Sequence, residues 1–144
     1  MITRHDSPIV QVVCSVLIPF IQLYAIYVIM HGHYGPGGGF QGGVLLAVSA
    51  LLMRLYLGKD IAHRKFPPKL AMALAAVGML IYVLGGFVPV AMGGDFLDYS
   101  YLPLPWLHGP YLRYYGILIV EIGVALAVFG TMVVIFDNLI PERS

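Results

Sequence analysis

The stretch His31–Val44, HGHYGPGGGFQGGV, has seven glycines in fourteen positions and separates two long apolar runs. A phosphate-binding loop of the Gly-x-x-x-x-Gly-Lys-Ser/Thr type follows a strand and places a lysine directly after its last glycine. Neither feature is present, so this segment is not a nucleotide-binding loop. His31 and His33 are two residues apart, but a zinc site needs three or four ligands and the neighbouring residues offer no more. We therefore expect no metal site here.

The composition around this stretch is that of a membrane protein. The chain has 144 residues, of which 60% are hydrophobic and 10% charged, and its mean hydropathy is +0.88. A soluble domain is far more polar, and a net charge of +1 gives no reason to expect a nucleic-acid partner. Since a membrane-spanning helix takes about 20 mostly apolar residues, we predict an all-α integral membrane protein with four transmembrane helices, at about 9–30, 40–57, 70–92 and 114–136.

The basic residues predict the orientation of these helices. Residues 54–69 hold five of the eight lysines and arginines, and positively charged loops remain on the cytoplasmic side. With four spans, both termini are then cytoplasmic and the glycine-rich stretch lies on the outer side. The outer loop at 93–113 is rich in Tyr and Pro and includes Trp106, which favours anchoring in the headgroup region.

The number of glycines exceeds what a simple turn requires. Glycine lets another backbone approach closely, and non-helical backbone at membrane depth is tolerated only against protein or in a water-filled cavity. Small residues continue on one face of each later helix, which favours close helix packing, although four helices make only a thin bundle. These stripes are Gly43, Ala47 and Ala50; Ala71, Ala75, Gly78 and Gly85; and Gly123, Ala127 and Thr131.

Polar residues inside membrane spans are candidates for function because they are costly there. Glu121 lies about 9 Å and Gln22 about 12 Å from the outer ends of their predicted helices, at a rise of 1.5 Å per residue. Both would therefore lie in the outer half of the bilayer, as the glycine-rich stretch does. Arg54, near the cytoplasmic end of the second helix, is expected to extend its head group to the interface. We assign Glu121, Gln22 and His33 to an ion pathway as a hypothesis, with a neutral, hydrogen-bonded Glu121 as the alternative.

The spacing of the glycine-rich residues resembles a known family. Gly32-His33 is followed after two residues by Pro36, Gly37, Gly38, Gly39 and Phe40, and then by Gly42 and Gly43. This pattern is similar to that of the MnhB subunit of Mrp-type (Mnh-type) multisubunit sodium/proton antiporters, and to subunits in the membrane arms of energy-converting hydrogenases and other complex-I-like assemblies. The Glu121–Val124 stretch extends the resemblance, although the family often carries aspartate where Glu121 stands.

The resemblance implies a single MnhB-like membrane domain over residues 1–144, in the plasma membrane of a prokaryote. It implies other membrane subunits as partners, Na⁺ and H⁺ as the ions that the complex transports, and no cofactor in this chain. Residues Pro36 to Phe40, Gly42 and Gly43 form its packing motif. No Ser/His/Asp, Cys/His or paired-carboxylate arrangement supports a catalytic site in the chain, although the parent complex can be redox-driven.

Three functions remain open from the sequence. The chain can be an ion-path subunit of such a complex, a purely structural subunit of an antiporter or a membrane-bound hydrogenase, or an autonomous channel that acts as a homo-oligomer.

Overall fold

The computed structural model describes residues 7–32, 34, 37–103 and 109–139, apart from the side chain of Lys59. All regular structure in these ranges is helical. Five α-helices follow along the chain: α1 (Pro8–His31), α2 (Gly39–Leu57), α3 (Lys59–Lys65), α4 (Pro68–Ala91) and α5 (Pro110–Leu139). A short 3-10 helix, Tyr99–Tyr101, lies between α4 and α5.

The four predicted membrane spans are confirmed as α1, α2, α4 and α5, each of which is long and apolar enough to cross a bilayer. The last span is longer than the predicted 114–136, because α5 has 30 residues and is therefore about 45 Å long. It begins at Pro110, and proline suits the first turn of a helix, where its missing N–H is not needed. Glu121 consequently lies about 17 Å along α5, deeper than the predicted 9 Å.

The charged loop predicted at 54–69 is partly helical. α2 continues to Leu57, and the seven-residue α3 follows directly after Gly58. Asp60 in its first turn and three basic residues in its last turn complement the helix dipole.

The membrane helices form a single row in the order α1, α2, α5, α4. α1 packs on α2, α2 on α5, and α5 on α4, so α1 and α4 form the two edges. Gly42 of α2 lies against Ile29 of α1, and Gly78 of α4 lies against Gly123 of α5. These contacts make the two outer pairs antiparallel, whereas α2 and α5 run parallel.

Small residues make the close packing possible, as the sequence predicts. Ala47, Ala50 and Ala71 are at most 5% exposed. A Cβ at Gly43, Gly78 or Gly130 would lie within 3 Å of the backbone of the facing helix. One predicted stripe is wrong at its last member.

Thr131 is exposed, and Gly130 occupies the interface instead. The buried stripe of α5 is spaced by seven residues and consists of Gly116, Gly123, Gly130 and Asp137.

The chain is a multi-pass membrane protein. Because the helices alternate in direction along the chain, the start of α1 and the end of α5 lie on the same side of the row as α3. Which side faces the cytoplasm stays a prediction from the loop charges.

Candidate functional site

Glu121 lies where α5 meets the glycine-rich stretch. A Cβ added at Gly32 would be 2.9 Å from Glu121 Oε1, and one added at Gly38 would be 3.1 Å from the same atom. The other carboxylate oxygen, Oε2, is buried. The carboxylate therefore fills space that side chains at positions 32 and 38 would need.

The glycines around Glu121 serve two physical purposes. Gly37 and Gly38 have φ angles of 151° and 136°, a conformation that residues with a Cβ rarely adopt. Gly39 opens α2, and a Cβ on it would overlap the backbone carbonyl of Glu121. The chain can thus turn sharply and bring the start of α2 directly onto α5.

The next two glycines pack the same helix on both of its neighbours. A Cβ at Gly42 would strike Ile29 of α1, and one at Gly43 would lie 2.6 Å from the carbonyl oxygen of Ala125 in α5. Close backbone packing by Gly39, Gly42 and Gly43 is what the sequence predicts for this segment.

The other predicted site residues are placed differently. Phe40 is 64% exposed, so any packing role for it concerns a surface outside this chain. Gln22 lies on an exposed face of α1, and its part in an ion pathway stays a prediction. His33 and Pro36 lie outside the described residues.

Two tyrosines that the sequence does not single out lie near Glu121. Burial raises the pKa of the Tyr99 hydroxyl, and the nearby Tyr82 and Glu121 raise it further. Tyr99 also covers α5 where Gly116 leaves room, since a Cβ there would be 2.7 Å from its side chain. This tyrosine therefore packs back onto the helices, although the sequence predicts only an interfacial anchor.

Two opposing influences act on the Glu121 carboxylate. Burial disfavours a charge, whereas the unpaired N–H groups and positive dipole end at the start of α2 favour a negative one. A carboxylate under such balanced influences can hold a proton or a small cation and release it again.

A second polar cluster lies at the other end of α2 and α5. Arg54 is 1% exposed, and its Nε and Nη2 atoms donate to Asp137 Oδ1 and Oδ2 at 2.7 and 3.0 Å. The prediction that Arg54 extends to the membrane interface is therefore wrong. A bidentate carboxylate partner on the adjacent helix holds the guanidinium inside the protein.

The connection between α3 and α4 completes this cluster. Arg54 also donates to the carbonyl oxygens of Ala50 at 3.4 Å and Phe66 at 3.3 Å, and its guanidinium lies 5.7 Å from the centre of the Phe66 ring. His63 Nε2 lies 3.2 Å from Asp137 Oδ1. The membrane helices and the short α3 are thus joined at one carboxylate.

Spacing in the sequence could have revealed this pair. Arg54 continues the Gly43, Ala47, Ala50 face of α2, and Asp137 lies seven residues after the buried Gly130. Asp137 falls one residue beyond the predicted end of the last helix, so it is not among the predicted intramembrane residues. Within the described ranges, no group of three or more His, Cys, Asp or Glu residues could hold a metal ion.

Comparisons with known proteins agree with this architecture. The sequence model for the domain related to the MnhB subunit of Na⁺/H⁺ antiporters matches residues 9–134. A Na⁺/H⁺ antiporter subunit of Bacillus subtilis is 34% identical over 97% of this chain and 97% of its own length. The Na⁺/H⁺ antiporter subunit of the same name from Alkalihalophilus pseudofirmus is 32% identical over 90% of this chain and 94% of its own length.

A solved structure shares the fold. It is that of the membrane-bound sulfane sulfur reductase, an archaeal respiratory membrane complex, in which one chain matches with a TM-score of 0.78 and 25% identity. The match covers 99% of this chain and 62% of that chain. The family match, the two antiporter subunits and this shared fold lead to one conclusion: the chain belongs to the family of domains related to the MnhB subunit of Na⁺/H⁺ antiporters.

Proposed function

We propose that Glu121 forms part of a path for H⁺ or Na⁺ in the complex to which this chain belongs. The chain is a membrane subunit of a cation/proton antiporter-like module. The observation that carries the proposal is the contact between the Glu121 carboxylate and Gly32 and Gly38. An acid placed against bare backbone, at the start of a helix, can exchange its proton or cation without moving bulky side chains.

The site lies in the middle of the helix row, and partner subunits complete its surroundings. α1 and α4 expose many large apolar side chains, such as Phe20 at 66% and Phe87 at 60%. The exposed Gln22 carboxamide at membrane depth calls for a polar partner, because lipid tails offer no hydrogen bond. We place this complex in the plasma membrane of a prokaryote, as an Mrp-type antiporter or as the membrane arm of a redox-driven assembly.

The decisive variant is Glu121→Gln, which keeps the shape of the side chain and removes its ionisable acid. We expect Na⁺/H⁺ exchange in membrane vesicles to fall about tenfold or more at unchanged abundance of the complex, since an amide cannot carry the proton or the charge. Glu121→Asp, which retains the acid, should keep part of the activity. Asp98→Asn, the same acid-to-amide change in an outer loop, is the matched control and should leave exchange unchanged.

A purely structural role is the second candidate, and the close glycine contacts of α2 favour it. Exchange at the normal rate in Glu121→Gln, with normal abundance, would establish this role and reject the ion path. The parent complex is identified by purification in mild detergent. A co-purifying nickel–iron subunit indicates a hydrogenase-type machine, and its absence from an active preparation indicates a stand-alone antiporter.

A further inference from the structure

We propose that the Arg54–Asp137 ion pair is a positioning device, which fixes the register of α2 on α5 and thereby holds the glycine-rich start of α2 on Glu121. This inference rests on the proposed role of Glu121 for its functional consequence. Its structural part, the register itself, is independent of that role and can be measured separately.

The two sites lie on one continuous interface. Along the parallel α2 and α5, Gly39 faces Glu121, Gly43 faces Ala125 and Arg54 pairs with Asp137. The residue differences of these pairs are 82, 82 and 83, so one register joins both ends. About 24 Å separates Glu121 from Asp137 along α5.

The rest of this interface is poor at choosing a register. Its faces are built from small residues, with Gly43, Ala47 and Ala50 on α2 and glycines spaced by seven on α5. Sliding α2 by two turns would place similar small residues opposite one another again. The ion pair is different, because a shift of one turn would leave a buried guanidinium and a buried carboxylate unpaired.

The geometry of Arg54 suits a register mark better than a stabilising contact. Its donors reach both Asp137 oxygens, the Ala50 carbonyl and the Phe66 carbonyl, which fixes the fork in one orientation. Buried ion pairs often contribute little net stability compared with apolar residues of the same size, whereas setting register is their best-attested role. The pair therefore specifies alignment more than it adds strength.

The test uses the whole complex with Arg54→Met and Asp137→Leu combined, an apolar replacement that can pack without the charges. Spin labels on cysteines introduced at the exposed Val48 of α2 and Ile119 of α5 report the alignment, with Cys14 replaced by serine. Complexes that carry one label each supply the background signal. We expect the distance distribution to broaden or shift by about 5 Å, one helical turn.

A second measurement follows the pH profile of Na⁺/H⁺ exchange, normalised to the amount of complex. We expect its midpoint to move by about half a unit or more, because the surroundings of Glu121 change. A merely structural pair would lower the amount of complex and leave the profile in place. If the double variant does not assemble, Arg54→Lys is measured instead, since lysine keeps the charge without the fork.

A distance distribution and a pH profile like those of the wild type would each overturn the inference. Failure of the proposed function is distinguishable from this result. Normal exchange in Glu121→Gln rejects the ion path, and the spin-label distance then still decides whether Arg54 and Asp137 set the register.

Discussion

The interface between α2 and α5 has an acid at each end, and the two acids have opposite surroundings. Glu121 lies against glycines, whose missing side chains make room for it. Asp137 lies against Arg54 and His63, whose side chains surround it. One carboxylate is accommodated by bare backbone, and the other is neutralised by a paired charge.

This difference separates a site that can change its occupant from one that cannot. A carboxylate gripped by a bidentate arginine is costly to disturb, because either partner alone would be a buried charge. A carboxylate beside bare backbone can take up a proton without displacing a bulky neighbour. Four changes test this contrast, from the largest expected effect to the smallest.

Removing one member of the ion pair should have the largest effect. Arg54→Ala leaves Asp137 buried without its main partner and should destabilise the chain by about 3–5 kcal/mol. We expect a severe loss of the subunit from membranes and a lower melting temperature of any purified complex. Arg54→Met with Asp137→Leu is the control and should melt close to the wild type. Normal abundance and melting of Arg54→Ala would show that this end is not fixed by charge.

Filling the glycine end should have the next largest effect. Gly39→Ala places a Cβ on the backbone carbonyl of Glu121, and such overpacking costs about 1–3 kcal/mol. The matched control is Gly85→Ala, whose Cβ would meet only a methyl group of Val120. Thermal melting of the purified complexes compares the two. Equal melting temperatures would mean that α2 does not need bare backbone at this contact.

Detaching α3 should have a smaller effect than breaking the ion pair. His63→Ala removes one hydrogen bond from a histidine whose side chain is 24% exposed, which should cost about 0.5–1.5 kcal/mol. Arg64→Ala on the exposed side of α3 is the control, and its effect should stay within about 0.5 kcal/mol. Protease cleavage of the segment between α2 and α4 measures the change. Equal cleavage of both variants would show that His63 does not hold α3.

The exposed Asp98 gives the smallest effect and a reference for the two buried acids. Hydrogen bonds from the hydroxyl and backbone N–H of Ser100 hold the pKa of Asp98 below its ordinary 3.8. Its stabilising contribution is therefore complete above pH 3.8 and is lost as the pH falls through the lowered value. Pepsin cleavage of residues 93–103 should accelerate over that range. Asp98→Asn should remove this pH dependence, whereas Asp95→Asn should retain it, and an unchanged profile in Asp98→Asn would contradict the assignment.

The glycine end could be predicted because its cause is local. Glycine is the residue that positive φ angles and backbone contacts require, so a dense run of glycines already indicates both. The same holds for the four spans, because hydrophobic length is a property of consecutive residues. The placement of Glu121 near this run followed from counting residues along two helices, although its depth was underestimated because α5 begins at Pro110.

The charged end could not be predicted in the same way because its cause is not local. Arg54 and Asp137 are 83 residues apart, and their contact depends on which helices are neighbours in the row. An arginine near a helix end is compatible with the membrane interface as well as with a buried partner. Only the parallel packing of α2 on α5 distinguishes the two outcomes.

The single-row arrangement also has a consequence for the life of this protein in the cell. A row of four helices has no interior of its own, so an unassembled copy presents both broad faces, including Gln22, to lipid. Membrane quality control recognises such exposed polar groups as marks of an orphan subunit. The fold therefore ties the survival of each copy to the stoichiometry of its partners, and we expect surplus chains to be degraded when the protein is produced alone.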